Sequence, residues 1–303
     1  MATLEELRSQ LDGARDLHGV VRTMQTMAAV NLRQFNRAKE ASLEIRRTVE
    51  LGLRIVLGAV EPGSETLTSG PSKALAAVVL GSDQGMVGAF NRRLAEHVAE
   101  GLADSGPDRG GPMVLVMGVR VREALLGEGL EVDELVPVPA SPSGIVPTVR
   151  EIVLSLDRWI GAGKADQVLV FGNRPEGGAS FAQRAFRLLP PDRELLDRLR
   201  RERWPGRGLP EPPRDPEGAL RALLRSHLFA RLVAAVAESL AAENAARIAS
   251  MQSAESNIEE RIDQLEQSVR RRRQESITEE LLDIVAGFEA LSGGRDEDGS
   301  AGR

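Results

Sequence analysis

The sequence predicts an α/β domain combined with a long antiparallel coiled coil that is formed by the two ends of the chain. Both ends are long stretches without proline, in which apolar residues return every three or four positions. In the middle, short apolar runs alternate with helical stretches. Segments rich in Pro and Gly separate the middle from the two ends. These patterns are typical of long helices, of a parallel sheet and of the joints between them.

The first helix is predicted over residues 2–58. Its apolar spacing continues for too long to belong to an ordinary globular helix. Gly13, Gly19 and Gly52 each cost about 1 kcal/mol in a helix interior, so this helix must be stabilised by packing against a partner. The apolar stripe consists of Leu4, Leu7, Leu11, Ala14, Val21, Met24, Ala28, Leu32 and Phe35.

The second long helix is predicted over residues 216–291. Asp215 is expected to be its N-cap, with Pro216 at the first helical position. Since neither helix can bury its stripe alone, we expect the two to pair as an antiparallel coiled coil. An alanine-rich stretch at 241–257 would let the helices approach closely. The stripe consists of Leu220, Leu224, Leu228, Leu232, Val236, Leu240, Ile258, Ile262, Leu265, Val269, Ile277, Leu281, Ile284, Phe288 and Leu291.

The register of this pair follows from the equal rise of both helices. If the joints near Gly58 and Pro216 lie side by side, Met24 lies opposite roughly residue 250, close to Met251, and Ala2 opposite roughly residue 272. The second helix therefore outlasts the first at about the four consecutive arginines 270–273. A helix that leaves a two-stranded seam is expected to change its surface where its surroundings change; the alternative is a solvated charge cluster.

The middle of the chain predicts a mainly parallel sheet covered on both faces, in a Rossmann-like domain. Strands are expected at 74–80, 112–118, 166–172 and 179–189, and helices at 92–102, 119–126 and 145–159. The predicted division is a coiled-coil helix at 1–60, the α/β domain at 73–205, a coiled-coil helix at 215–292 and a disordered tail at 293–303.

Composition excludes several classes of function. The chain has 303 residues, a formal net charge of -6 and no Cys, which excludes disulfides and thiolate chemistry and argues against a general nucleic-acid binder. The three histidines, His18, His97 and His227, lack the spacing of metal ligands, so no metal or cofactor is expected. No apolar run is long enough to span a bilayer. We therefore expect a cytoplasmic protein that reaches a membrane only through a partner.

The best enzyme candidate is the loop LGSDQGMVGAFN at 80–91. It matches neither the GxGxxG nor the Gly-Lys-Ser/Thr nucleotide fingerprint. Asp83 could act as an acid or a metal ligand, but no second carboxylate, His or Lys accompanies it in the loop. The favoured alternative is an exposed turn permitted by Gly85 and Gly88 and capped by Ser82 or Asp83, or a loop that contacts a partner.

Four stretches resemble motifs of the gamma subunit of F-type ATP synthase. RTMQTMAAVNLR resembles the N-terminal helix motif of that family and SDQGMVGAFN its loop; ENAARIASMQSAESN and RQESITEELLDIV resemble its two C-terminal signatures. The resemblance implies a divergent bacterial form, with the alternate sodium-translocating branch as one candidate. Gln84 stands where the family has Arg, and the transported ion, proton or sodium, stays open.

The resemblance implies a central rotor shaft that couples ion flow to ATP synthesis or hydrolysis and has no active site of its own. Its implied partners are the alpha and beta subunits of the catalytic hexamer, the epsilon subunit and the membrane rotor ring, at the cytoplasmic face of a bacterial plasma membrane. Two rivals stay open: a nucleotide-binding α/β protein that uses the 80–91 loop, and a coiled-coil scaffold. The partner-binding residues implied are Met24, Met27, Arg33, Ser82, Asp83, Gln84, Asn91, Arg273, Gln274 and Thr278.

Overall fold

The computed structural model describes residues 3–61, 74–103, 111–177, 180–208 and 210–293, with side chains as far as residue 286. The expected tail after residue 293 and nearly all of the joint at 61–72 lie outside the described residues. Contacts divide the chain into two compact units. One, the sheet unit, is residues 25–250; the other, the terminal unit, is residues 1–24 together with 251–303.

The described residues contain six helices and five strands. In chain order they are α1 (Leu4–Ala59), β1 (Leu75–Leu80), α2 (Phe90–Ala103), β2 (Met113–Met117), α3 (Val119–Gly127), β3 (Glu134–Val136), α4 (Pro142–Gly161), β4 (Gln167–Gly177), β5 (Ser180–Leu189), α5 (Arg193–Arg201) and α6 (Pro216–Gly293).

Two elements were not predicted. Strand β3 has only three residues, which is too short to show an alternating pattern. Helix α5 buries only Leu196 and Leu199 among strongly charged neighbours, so it offers too few apolar positions to reveal a helical period. Its N-cap is Asp192, whose side chain accepts a hydrogen bond from the Glu194 amide. The sequence of α5 therefore shows no pattern that separates it from the irregular joint that follows it.

The sheet has the strand order β3-β2-β1-β4-β5. Its first four strands are parallel and β5 pairs antiparallel with β4, which agrees with the mainly parallel sheet that was predicted. Strand β1 is central, with Ala76 facing Met113 on one side and Val168 on the other. All six β1 residues are buried, because both faces of the sheet are covered.

The two faces of the sheet are covered by different elements. Helices α2 and α3 cover one face, where Leu94, Val98 and Leu125 pack with alternate residues of β1 and β2. On the other face, α4 and the paired segments of α1 and α6 form one core, to which Phe35 and Val236 belong. The sheet is therefore built directly onto the paired helices within this unit.

Within the sheet unit, α1 and α6 run antiparallel. Leu53 and Leu57 of α1 form a cluster with Leu220 and Leu224 of α6, together with apolar residues of α5. A Cβ added to Gly52 would lie 3.0 Å from a methyl carbon of Leu223. The predicted register places residue 52 opposite about residue 222. At the start of α6, Asp215 accepts a hydrogen bond from the Gly218 amide at 2.9 Å, so the predicted N-cap is confirmed.

The terminal unit contains a second antiparallel segment of the same two helices. Arg15 donates a hydrogen bond to Glu266 at 2.7 Å. The His18 ring contacts Glu255 and Glu259. The predicted register places His18 opposite about residue 256, which lies between these two. Apolar side chains are buried along this seam. They are Leu11, Val21, Met251 and Leu265.

The stripe of α6 emerges from the seam after the arginine run. Leu265 is 4% exposed, whereas Ile277, Leu281 and Ile284 are 48%, 57% and 68% exposed. Helix α1 begins at Leu4, which the register places opposite about residue 270 of α6. The buried seam therefore ends close to the first residue of α1, as predicted. Within the described residues, no helix is both long enough and apolar enough to span a membrane.

Candidate functional site

The loop between β1 and α2 is organised by Ser82 and Asn91. Ser82 is fully buried, and its amide donates to the Asn91 side-chain oxygen at 3.1 Å. The Asn91 amide group in turn donates to the Ser82 hydroxyl at 2.8 Å, and this hydroxyl donates to the backbone oxygen of Gln84. Both side chains therefore fix the conformation of the loop from inside.

Asp83 connects the loop to two other segments of the sheet unit. Its carboxylate accepts hydrogen bonds from the amide of Val119 at 2.8 Å and from the amide of Val138 at 3.0 Å. Val119 is the first residue of α3, and the preceding Gly118 provides no side-chain cap. Asp83 supplies that missing acceptor and places a negative charge at the helix N-terminus, where it is favourable. The prediction was that Ser82 or Asp83 caps the turn of the loop itself; Asp83 instead caps a helix that is distant in sequence, and Ser82 bonds within the loop.

The exposed part of the loop is small. Gln84 and Met86 are exposed, and Met86 has a φ of 58°, in the left-handed region that non-glycine residues rarely adopt. Of the four loop residues that the resemblance assigned to partner contacts, only Gln84 is exposed; Asp83 and Asn91 are half-buried and Ser82 is buried. A partner that meets this loop would therefore contact Gln84 and Met86, with Ser82, Asp83 and Asn91 holding them in place.

The crevice where an α/β sheet usually binds a nucleotide is filled by protein. In this strand order it lies between β1 and β4, beyond their carboxyl ends. There the Ser239 hydroxyl donates to the Leu80 carbonyl at 2.7 Å. Phe90 packs with Ala242 and Ala246 of α6, and its carbonyl accepts a hydrogen bond from Asn173. This packing gives no support to the nucleotide-binding rival.

A buried ion pair of α6 was missing from the sequence prediction. The Glu243 carboxylate accepts a hydrogen bond from Arg247 at 2.7 Å and is 5% exposed. Burial raises the pKa of Glu243, an effect that Arg247 opposes and the negative charge of Asp83 reinforces. The signal that could have revealed this pair is a Glu and an Arg spaced i,i+4 within an alanine-rich stretch.

Replacing Asp83 by Ala should lower the free energy of unfolding of the sheet unit by about 2 kcal/mol, because two charge-assisted hydrogen bonds are lost. Tryptophan fluorescence, to which the 5% exposed Trp159 of this core contributes, can follow urea unfolding. Gln84→Ala, at the neighbouring exposed position, is the control and should be nearly neutral. We also expect Asp83→Ala to leave nucleotide binding by an assembled complex intact. Loss of that binding would favour the enzyme rival instead.

At the other end of the chain, α6 presents polar side chains beyond the seam. Arg272 is paired with Glu275 at 3.0 Å, whereas Arg273 is exposed and has no ion pair among the described residues. Gln274 is exposed, and its carbonyl accepts a hydrogen bond from the Thr278 hydroxyl at 2.9 Å. The Arg273 guanidinium and the Gln274 amide group are thus accessible to a partner.

The remaining predicted residues lie on α1. Met24 is half-buried in the terminal unit, while Met27 is 62% exposed and Arg33 is exposed in the sheet unit. The ten residues named from the resemblance therefore lie in three segments: α1, the 80–91 loop and the end of α6. Their assignment to partners stays a prediction.

His18 lies beside two carboxylates of α6. Its Nε2 atom is 3.3 Å from Glu259 and 3.7 Å from Glu255, and the three ligand atoms lie within 4.8 Å of one another. Sequence spacing did not reveal this cluster, because its carboxylates come from the opposite helix. Arg22 also lies 3.5 Å from Glu255, so one of the two carboxylates already has a cationic neighbour.

His227 is a buried titratable residue of the sheet unit. It is 2% exposed, and burial, aided by Arg231 and Arg46, lowers its pKa from 6.5 to about 4. Since the unfolded chain binds the proton more readily than the folded one, this residue destabilises the fold as the pH falls from 6.5 towards 4. The expected loss between pH 7 and pH 5 is about 2 kcal/mol.

Replacing His227 by Met should therefore reduce the loss of stability between pH 7 and pH 5 by about that amount. Urea unfolding in buffers free of phosphate and sulfate would measure the difference. All other titrating groups are shared by the two proteins, so they cancel in the comparison. An identical pH dependence in both proteins would show that His227 does not have this low pKa.

The fold and these surfaces define a class of protein: a pair of long antiparallel helices built onto an α/β sheet. A family model described as ATP synthase matches residues 3–291. The ATP synthase gamma chain of a Synechococcus sp. is 30% identical over 330 residues, covering 97% of this chain and 100% of the relative. That of Moorella thermoacetica is 27% identical, covering 96% and 100%. The chain belongs to the ATP synthase gamma-chain family.

Solved structures agree in fold. A chain of the Euglena gracilis mitochondrial ATP synthase (OSCP/F1/c-ring) has a TM-score of 0.64 at 18% identity, covering 99% of this chain and 98% of that one. A chain of the Tetrahymena thermophila mitochondrial ATP synthase central stalk and c-ring has a TM-score of 0.53 at 20% identity, covering 78% and 99%. The α/β domain joined to long terminal helices is therefore a fold that these chains share.

Proposed function

We propose that this chain is the central rotor shaft of a rotary F-type ATP synthase. Its gamma-chain relatives and the central-stalk structures of the same fold support this role. As a gamma chain it is part of a membrane-associated complex. The bacterial plasma membrane, with the chain at its cytoplasmic face, is the location we propose, and the membrane ring carries either protons or sodium ions.

The observation that most directly supports a shaft is the asymmetry of α6 beyond the seam. At about 100° per residue, the exposed Ile277, Leu281 and Ile284 lie on one face of the helix. Arg273 precedes Ile277 by one turn on the same face. The opposite face carries Glu275, Glu279 and Asp283, with the exposed Leu282 beside them. A helix with such different faces contacts identical partners unequally.

Unequal contact is what rotary coupling requires. Three identical catalytic beta subunits around an asymmetric helix experience different contact free energies, so each is biased towards a different nucleotide affinity. Rotation of the helix would exchange these affinities among the three subunits. We propose that the end of α6 contacts the alpha and beta subunits, and that the sheet unit contacts the epsilon subunit and the membrane ring.

Reconstitution tests this function. The purified full chain should co-migrate with alpha and beta subunits in gel filtration, and the complex should hydrolyse ATP faster than alpha and beta subunits alone. By itself the chain should bind no nucleotide in its 80–91 loop. Failure to join the alpha and beta subunits would favour the scaffold rival, whereas ATP hydrolysis by the isolated chain would favour the enzyme rival.

A further inference from the structure

A second polar surface lies in the sheet unit, in a cleft of about 450 Å³ between α1, β5, α5 and α6. Four arginines and one histidine line it: Arg46, Arg184, Arg198, Arg231 and His227. A cleft of this volume falls in the size range of small-molecule sites. None of the residues that the resemblance assigned to partners lies in it.

Three of the arginines already have carboxylate partners. Arg46 lies 3.4 Å from Glu50, Arg184 lies 3.2 Å from Glu238, and Arg198 lies 3.7 Å from Glu202. Of the other acidic residues that line the cleft, Asp192 caps α5 and Glu194 is exposed. Asp192 and Glu50 also attract Arg231, but among the described residues no carboxylate forms an ion pair with this fourth arginine.

Arg231 and His227 are the exceptions. Arg231 is half-buried; it donates to the Arg187 carbonyl at 3.3 Å and lies 4.5 Å from the centre of the Phe186 ring. It has no ion pair among the described residues. His227 is 2% exposed, and neither ring nitrogen has a hydrogen-bond partner in the described part of the chain. Buried polar groups normally have such partners. The N–H of the His227 ring therefore lacks a hydrogen-bond acceptor within the described residues.

We propose that this cleft binds a phosphate group, held by the Arg231 guanidinium and the His227 imidazole, with Arg46, Arg184 and Arg198 around it. One oxyanion would satisfy both groups at once, and a guanidinium binds phosphate oxygens through two parallel hydrogen bonds. A neutral imidazole donates one further hydrogen bond to the same anion. The phosphate group belongs either to free inorganic phosphate or to a nucleotide.

Isothermal titration calorimetry on the free full-length chain tests this, with inorganic phosphate, pyrophosphate and ATP as probes. Saturable binding of one equivalent is expected. If inorganic phosphate saturates the site, free phosphate is the source; if only ATP does, the source is a nucleotide. This binding does not depend on assembly with other subunits, so its failure would leave the shaft function untouched.

Three variants locate the site. Arg231→Gln should weaken binding at least about tenfold, since a charge-assisted pair of hydrogen bonds is lost. Arg198→Gln, at an exposed position on the rim of the cleft, should weaken it about threefold. Arg221→Gln removes the same charge from an exposed position of α6 outside the cleft and should change nothing. Equal losses in all three variants, or no saturable binding by the wild type, would overturn the proposal.

Discussion

Replacing Arg273 and Gln274 together by alanine is expected to lower ATP hydrolysis, or its coupling to ion transport, by about tenfold in the assembled synthase. Both side chains are exposed on the part of α6 beyond the seam. An arginine that binds a carboxylate of a beta subunit contributes about 1.5–3 kcal/mol per charge-assisted hydrogen bond. A difference of that size among the three beta subunits is enough to shift their conformational equilibria tenfold or more.

The matched control is Arg261→Ala with Gln264→Ala. These residues are also exposed on α6 and also one Arg and one Gln, but they lie within the paired segment and contact each other. They should have little effect on turnover. The helicity of both isolated variants should equal that of the wild type, because exposed Arg and Gln are replaced by a better helix former. Unchanged coupled turnover in the first variant would mean that the arginine run is only a solvated surface.

The apolar positions of the same helix end should behave differently. Ile277, Leu281 and Ile284 are exposed in the isolated chain, so their contribution arises only when a partner buries them. We propose that they control assembly with the hexamer rather than the coupling of an assembled one.

The second large effect is expected at Gly118, between β2 and α3. Its φ of 113° is in a region that L-residues rarely adopt, and an added Cβ would lie 2.6 Å from the backbone oxygen of Ser82. Backbone atoms of a buried strand end cannot move aside, because the Ser82 carbonyl also accepts a hydrogen bond from the Arg120 amide. Gly118→Ala should therefore cost about 3 kcal/mol or more of stability in the sheet unit.

Gly129→Ala is the matched control for this substitution. Gly129 also has a positive φ, of 78°, but an added Cβ would meet nothing within 4 Å. Its cost is limited to backbone strain, about 1 kcal/mol. Urea unfolding followed by tryptophan fluorescence compares the two variants. Equal costs at both positions would show that α3 and the 80–91 loop are not packed as closely as described.

Much of the fold could be predicted from the sequence because its elements are long or strongly apolar. The periodic stripes located α1 and α6 to within a few residues, and the equal rise of two helices gave their register to within about one turn at His18 and Gly52. Strand β3 and helix α5 were missed because neither contains enough apolar residues to display a period.

The interior of the candidate loop was harder to predict. That Ser82 or Asp83 caps a turn followed from residue type, but the partners of Asp83 are amides 36 and 55 positions away. Such partners are set by the way β1, β2 and α3 meet, which no local pattern encodes. The same holds for His227 and Arg231, whose shared cleft arises only when α1, β5, α5 and α6 pack together.

The central claim, that this chain rotates inside a hexamer, can be tested by watching it turn. The chain contains no cysteine, so Arg122→Cys, at an exposed position of α3, provides a single attachment point for a bead. With the alpha and beta subunits fixed to a surface, the bead should rotate in one direction when ATP is added and should stop when ATP is removed. A bead that stays still on a complex that hydrolyses ATP at its full rate would contradict the rotor-shaft function.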